Sequence, residues 1–306
     1  MSPLIQKTHI LIPATSANLG PGFDCMALAL DLWNEVILDT CAEGVRMSIE
    51  GEGARSLPKD GKNRIAQAAI QVFQKAGVAD PGFSIECLNR IPVSSGMGSS
   101  AAAAVGGLIA ANASIGNPFS RQTLIQLSHP IEGHADNAVA AFVGGLVILS
   151  AEDGRILWRR YELPSMQVCV IVPDRHLSTG ESRSILPETI SHRDAVSNLG
   201  RALLVADALR NADYRLLADV MQDRLHQPYR LARLPGVDEI IQAARQAGAA
   251  AAVLSGAGPG VIAFADSGLT EIQNAMLGAA KEKGFTARGF LLHVSNTGAN
   301  EKEPSA

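Results

Sequence analysis

One short stretch limits this chain more than any other. It reads Pro92-Val93-Ser94-Ser95-Gly96-Met97-Gly98-Ser99-Ser100-Ala101-Ala102 and runs straight into a series of small apolar residues. Two glycines, one residue apart, permit positive φ and a close backbone approach. The serine pair then opens a helix predicted over 99–113. Its first N–H groups lack partners inside the helix, and its dipole favours negative charge there. The alanines at 101–104 leave room for a neighbouring backbone. On the residues alone two readings stand: a cradle for phosphate, or a flexible turn before a buried alanine helix. The Walker loop is excluded, because no lysine follows the glycines. The dinucleotide fingerprint is met formally by Gly96, Gly98 and Ala101. However, Pro92 and two serines interrupt the approach, and 115–120 offers no acid.

Around this loop the apolar periodicity predicts strands over 8–12, 26–32, 35–39, 45–50, 83–88 and 144–150. Helices are predicted over 64–75 and 121–131. The segment 13–24 reads as turn-rich. The stretch 151–163 is charged and turn-rich, which divides the chain into domains of residues 1–155 and 156–306. The second half predicts strands over 168–172, 251–254, 261–264 and 288–292, and helices over 194–209, 216–224, 237–247 and 269–283. Residues 296–306 read as a frayed polar end. Strands and helices mix without strict alternation, so the fold class is α+β.

With 306 residues and a net charge of −4, the chain is long enough for two fused lobes and carries no basic stripe. Nucleic acid and anionic membrane are excluded as partners. No long apolar span crosses a bilayer, and residues 1–9 lack an apolar signal core. Cys25, Cys41, Cys87 and Cys169 are scattered without metal-ligand spacing, so they read as inert buried thiols in a reducing cytoplasm.

The loop at 92–102 resembles the P-x-x-x-G-L-G-S-S-A phosphate loop of the GHMP small-molecule kinases, with Met97 in place of leucine. Residues 13–24 resemble the first motif of that family, and 254–259 resemble its third. Glu132-Gly133-His134-Ala135-Asp136-Asn137, residues 177–183 and residues 225–230 are similar to the homoserine kinase subfamily. The resemblance spans about 13–292. It implies a two-lobed fold: an N-terminal lobe with a left-handed βαβ crossover, a rare hand, and a C-terminal ferredoxin-like α/β sandwich. It also implies ATP and Mg²⁺ as cofactors, with ATP under the 92–102 loop and Asn63 near the adenine. A small amino-acid alcohol, L-homoserine, is the implied acceptor, and a homodimer the implied assembly.

The same resemblance assigns the pocket. Arg183 and Arg230 would take the acceptor carboxylate, and Asp24 its ammonium, with Asn18 alongside. His134, Asn137 and Thr179 would line the reacting end. Ser100 would bind Mg²⁺, as would position 126, where the family carries a glutamate and this chain has Gln126. Gln126 brings an oxygen but no charge, which leaves open a non-catalytic binding protein or a kinase for another amino alcohol. Residue by residue, plainer readings stand too. Asn18 and Asp24 are common turn formers. Asp136 suits an N-cap. A lone arginine is usually solvated, and a lone histidine is usually structural. Ser255-Gly256-Ala257-Gly258-Pro259 reads as a backbone support or a plain turn.

Overall fold

The computed structural model describes residues 7–40, 44–78, 81–175, 177 and 179–302, without the side chain of Thr179. β1 (Lys7–Ala17) and β2 (Met26–Asp39) pair antiparallel along their length, with one irregularity between Pro13 and Ala14. The sequence predicts a turn from residue 13 and two short strands over 26–39, but β1 runs on to Ala17 and β2 is continuous. Pro13 lies at the irregularity, where its missing N–H is tolerated. Ala14 and Ala17 are fully buried, so their small size serves packing rather than turning. Asn18 and Asp24 then adopt positive φ and bound the turn.

β3 (Val45–Gly51) pairs parallel with β4 (Phe83–Asn89), and α1 (Arg64–Lys75) connects them as the βαβ crossover. α1 has the predicted bounds because its signals are local. Asn63 caps it by accepting the Ile65 N–H, and Ile65, Ala68, Ala69 and Val72 are buried along one face. α2 (Ser99–Ser114) lies against α1. A Cβ on Gly107 would stand 2.2 Å from the Ile65 carbonyl oxygen, so this contact is backbone on backbone.

α3 (Arg121–Glu132), α4 (Asp136–Val143), β5 (Leu146–Glu152) and β6 (Arg155–Tyr161) follow. β5 and β6 form a hairpin in full register, where the sequence predicts a linker. Asp153 and Gly154 both take positive φ, as a two-residue primed turn requires. The division at 155/156 therefore falls at the start of a strand of the larger sheet. That sheet has seven strands: with β11 (Asn300–Glu301) at one edge, the order is β11-β1-β2-β4-β3, with β5 on β2 and β6 on β5.

The second half contains β7 (Gln167–Pro173), α5 (Thr179–Ser184), α6 (His192–Asn211), α7 (Tyr214–Val220), α8 (Gln227–Leu231) and α9 (Val237–Gln246). β8 (Ala251–Leu254), β9 (Val261–Phe264), α10 (Leu269–Glu282), β10 (Ala287–His293) and β11 (Asn300–Glu301) complete it. In the four-stranded antiparallel sheet β10-β7-β9-β8, strands β7, β8 and β9 are buried on both faces, while β10 is a partly exposed edge. Val168, Val170 and Phe264 join the main core, while Cys169, Ile171 and Ala263 pack with Ile240, Ile272 and Met276 of α9 and α10. Burial on both faces explains why β7 reads as an unbroken apolar run.

The chain then returns to the first lobe. The Ser295 carbonyl accepts from Gly145 N–H at 2.7 Å, and Ala299 N–H donates to the Ala141 carbonyl at 2.7 Å. β11 pairs with β1, and Lys302 N–H donates to the His9 carbonyl at 2.8 Å. The described part of the expected frayed end is therefore a strap. Val205, Leu209, Leu217 and Met221 of the second half also enter the main core.

Among the described residues no helix is long and apolar enough to cross a membrane. Cys25, Cys87 and Cys169 are free thiols. Burial pushes the pKa of Cys25 up to about 11 and those of Cys87 and Cys169 to about 12, so all three are inert at neutral pH. Cys41 lies outside the described residues.

Candidate active site

α2 opens directly after Gly98, whose φ of 71° is left-handed. A Cβ there would stand 1.9 Å from Thr15 Oγ1, so glycine lets the loop lie on β1. No side chain caps α2. Its first turn faces a cleft of about 470 Å³, lined by Ser94, Ser95, Gly96, Gly98, Ser99 and Ser100 on the loop side. Such an N-terminus suits a phosphate. Pro92, Val93 and Met97 shape the loop, and Met97, Ala101 and Ala102 are buried beneath it.

The loop is braced from two sides. Thr15 N–H donates to the Met97 carbonyl at 3.1 Å. The Ser255 hydroxyl donates to the Gly96 carbonyl at 2.7 Å and lies 2.8 Å from the Ser16 hydroxyl. Gly256 N–H donates to the Ala17 carbonyl and Gly260 N–H to the Ser95 carbonyl. The glycine-rich turn after β8 is thus the backbone support that the sequence suggests. Asn63 lines the cleft, but its side chain is engaged structurally: Oδ1 caps α1, and Nδ2 donates to the Pro58 carbonyl.

Facing Ser100 is a carboxylate to which the sequence alone assigns no role. The Ser100 hydroxyl donates to Glu132 Oε1 at 3.0 Å, and Arg64 Nη1 reaches the same oxygen at 2.5 Å. Gln126, the expected counterpart of Ser100, is exposed on α3 and is not among the cleft-lining residues. Six residues apart on a helix, the two side chains face different ways, and the face turned to Ser100 is that of Glu132. Lys62 and Arg64 add cations to this side of the cleft, which sequence reasoning also missed.

The other end of the cleft holds Asn18, His134, Asp136, Asn137, Arg183 and Arg230. Arg183 and Asp24, assigned to opposite charges of one acceptor, bind each other through two hydrogen bonds of 2.7 and 2.8 Å. Asn18 accepts the Asp24 N–H at 2.8 Å and holds the turn. Arg230 is 1% exposed. Burial pulls its pKa down to about 10, which leaves it a cation at neutral pH.

Asp136 is the first residue of α4 rather than its N-cap, which is Ala135. Its Oδ1 accepts the Asn137 N–H and lies 2.7 Å from His134 Nδ1. Burial disfavours both charges of this pair, but their hydrogen bond and mutual attraction outweigh it. The pKa of His134 is raised and that of Asp136 lowered. Asn137 accepts the Thr15 hydroxyl on Oδ1 at 2.7 Å, which leaves its amide N–H₂ as the donor end. Thr179 begins α5, but its side chain lies outside the described residues.

Residues 63–145 match the family described as GHMP kinases N terminal domain, and residues 205–282 match GHMP kinases C terminal. This chain is a GHMP kinase. Homoserine kinase from Desulfitobacterium hafniense is 41% identical to it, over 95% of this chain and 98% of that one. Homoserine kinase from Carboxydothermus hydrogenoformans is 38% identical, over 96% and 94%. A crystal structure of homoserine kinase from Cytophaga hutchinsonii superposes on the kinase with a TM-score of 0.88 at 28% identity, covering 99% of both chains. As a GHMP kinase the protein uses ATP as phosphoryl donor, and the two-lobed α+β architecture is the family's.

Proposed function

We propose that this kinase moves the γ-phosphoryl group of ATP onto the hydroxyl of L-homoserine, giving O-phospho-L-homoserine and ADP. The observation that carries the reading is one cleft with two unlike ends. An uncapped helix N-terminus stands at one end, and a buried arginine beside an Arg183–Asp24 pair at the other. Phosphoryl transfer needs charge neutralisation and in-line alignment more than covalent chemistry. The amides opening α2 hold the triphosphate. Arg230 and Arg183 take the acceptor carboxylate, and Asp24 exchanges its arginine for the ammonium. Asn137 donates its amide N–H to the attacking oxygen and sets that oxygen's direction.

The cleft offers no free carboxylate base among the described residues. Glu132 is engaged by Ser100 and Arg64, and Asp136 by His134 and the Asn137 N–H. The acceptor hydroxyl therefore attacks directly. The new O–P bond forms as the bond to the β-phosphate oxygen breaks, and the hydroxyl proton leaves to solvent. His134, biased toward imidazolium, favours the charge of the phosphoryl group. Ser100 and Glu132 supply the oxygen ligands that suit Mg²⁺, which prefers one or two protein oxygens plus phosphates. Among the described residues no cluster of three or more acidic, histidine or cysteine ligands exists, and Ser100 and Glu132 would be the protein's share of the donor set. Bound there, Mg²⁺ supplies charge neutralisation at the phosphates. With Glu132 facing Ser100, the non-catalytic reading built on Gln126 loses its premise.

The kinase pairs with a second copy through α6. Val196, Leu199, Leu203 and Leu204 are 45–68% exposed on one helix. They surround Gly200, where an added Cβ would meet nothing within 4 Å. Exposed Arg193 and Asp207 lie two turns to either side of Gly200. A dyad through Gly200 thus sets each arginine against the partner's aspartate, the self-complementarity that two-fold contact needs. Leu199→Asp should convert a dimer into a monomer by light scattering, and a monomeric wild type refutes the pairing. The free, inert thiols fit a cytoplasmic setting.

An ADP-release assay across homoserine, serine, threonine and mevalonate tests the activity. Homoserine should give by far the highest kcat/KM. No ADP above the ATP-only background with homoserine, or a better substrate among the other three, refutes the assignment.

A further inference from the structure

We infer that His226 is a positioning residue: as a neutral ring with its proton on Nε2, it holds the Arg230 guanidinium in the cleft and so sets the affinity for the acceptor carboxylate without touching the acceptor. The link to affinity rests on the homoserine reading above; the tautomer does not.

Arg230 is held by neutral groups. Nη1 donates to the Gly256 carbonyl at 3.1 Å and reaches His226 Nδ1 at 2.9 Å, while Nε approaches the Ser182 carbonyl at 3.5 Å. A guanidinium only donates, so His226 Nδ1 must carry a lone pair. The proton then sits on Nε2, which donates to the Gly20 carbonyl at 2.9 Å. Both ring nitrogens are engaged, and the side chain is fully buried. Phe23 stacks on the ring at 5.2 Å and also lies 5.2 Å from the Arg230 guanidinium carbon.

The backbone is fixed as firmly as the ring. Asp223 accepts the N–H groups of Leu225, His226 and Gln227 at 3.0, 2.8 and 2.6 Å. Gln227 Oε1 accepts the Leu254 N–H at 2.9 Å, just before the glycine-rich turn. A protonated His226 would set a cation against Arg230 in a closed space. Burial and Arg230 favour the neutral ring; Asp223, the Gly20 carbonyl and Asp24 oppose it, and the balance lowers the pKa. The ring thus bridges Gly20, in the segment that carries Asp24, to Arg230.

Two replacements separate the duties of the ring. His226→Asn places an amide oxygen near the position of Nδ1 and keeps the acceptor for Arg230. His226→Gln reaches toward the position of Nε2, keeps the donor for Gly20 and gives up that acceptor. The homoserine KM should rise at least ~10-fold in H226Q, the size of one charge-assisted hydrogen bond. It should stay within about threefold of wild type in H226N, well under that same hydrogen bond. The KM for ATP should be unchanged in both. An unchanged homoserine KM in H226Q, or an ATP KM that rises alongside it, overturns the proposal. The wild-type enzyme gives a second measurement if H226Q fails to fold. In ¹⁵N spectra of histidine-labelled protein, the ring missing from H226N should show the Nε2–H tautomer throughout the neutral range. An Nδ1–H tautomer overturns the proposal. Absence of homoserine turnover by the wild type would refute the proposed activity while leaving the tautomer to be read on its own.

Discussion

Glu132 and Gln126 sit on one helix, and only one of them meets Ser100. Glu132→Gln should therefore raise the magnesium concentration for half-maximal activity by ~10-fold or more, the scale of one charged ligand. Gln126→Glu should leave that titration where it is. The reverse pattern would move the metal site to Gln126. The His134–Asp136 pair makes a pH prediction. The histidine pKa is raised, so its stabilisation is complete below about 6.5 and fades as pH climbs through the folded-state value. Asp136 is lowered, so its share is lost only as pH falls below the carboxylate range. The melting temperature gap between wild type and His134→Gln should be widest near pH 6 and narrow toward pH 9. A gap that stays constant over that range would mean the two side chains do not titrate as a pair.

At the scale of elements, the sequence was legible where the signals were local. α1, β8 and β9 carry their own cap, period or β-branched run and lie where the pattern predicts them. β6 was hidden by its arginines, of which Arg155 and Arg159 are exposed on an edge strand and Arg160 reaches the Asn296 carbonyl, although Asp153-Gly154 is a hairpin signal. α7 stops at Val220, and further on the Arg224 N–H goes to Asn198 Oδ1 while those of Leu225, His226 and Gln227 go to Asp223, which builds a different turn. The phosphate loop was legible because glycines and a helix start are neighbours in sequence. The seat of Arg230 was not, since Ser182 and Gly256 reach it, and Gly20 reaches its neighbour His226, from distant segments. The α1–α2 contact makes its own prediction. Gly107→Ala puts a methyl into the Ile65 carbonyl, and that neighbour is backbone, which cannot swing aside. It should cost about 1–3 kcal/mol and also weaken ATP binding, because the far end of the same helix holds the loop. Denaturant melts and nucleotide titration measure the two effects, and a variant as stable as wild type would show that the helices separate freely.

Across the whole molecule, neither lobe is a contiguous half of the chain. The larger sheet takes β1 to β6 and then β11, and the main core takes side chains from α6 and α7. A chain ending at Val294 should thus lose on the order of 5 °C or more in melting temperature, as several backbone hydrogen bonds of about 1 kcal/mol each disappear. Trp33 and Trp158 fluorescence reports the transition. An unchanged melting curve would mean that the strap adds nothing.

The strap also bears on how the protein is made. On a ribosome, the outer edge of β1 and the carbonyls of His9 and Ala141 must wait for residues 299–302 to emerge. Until then the nascent chain presents an open strand edge, the kind that recruits wrong partners. α4, which carries Asp136 and Asn137, gains the Ala299 N–H bond to its Ala141 carbonyl only with that late arrival. The first half of the chain is therefore completed only after the second has been made.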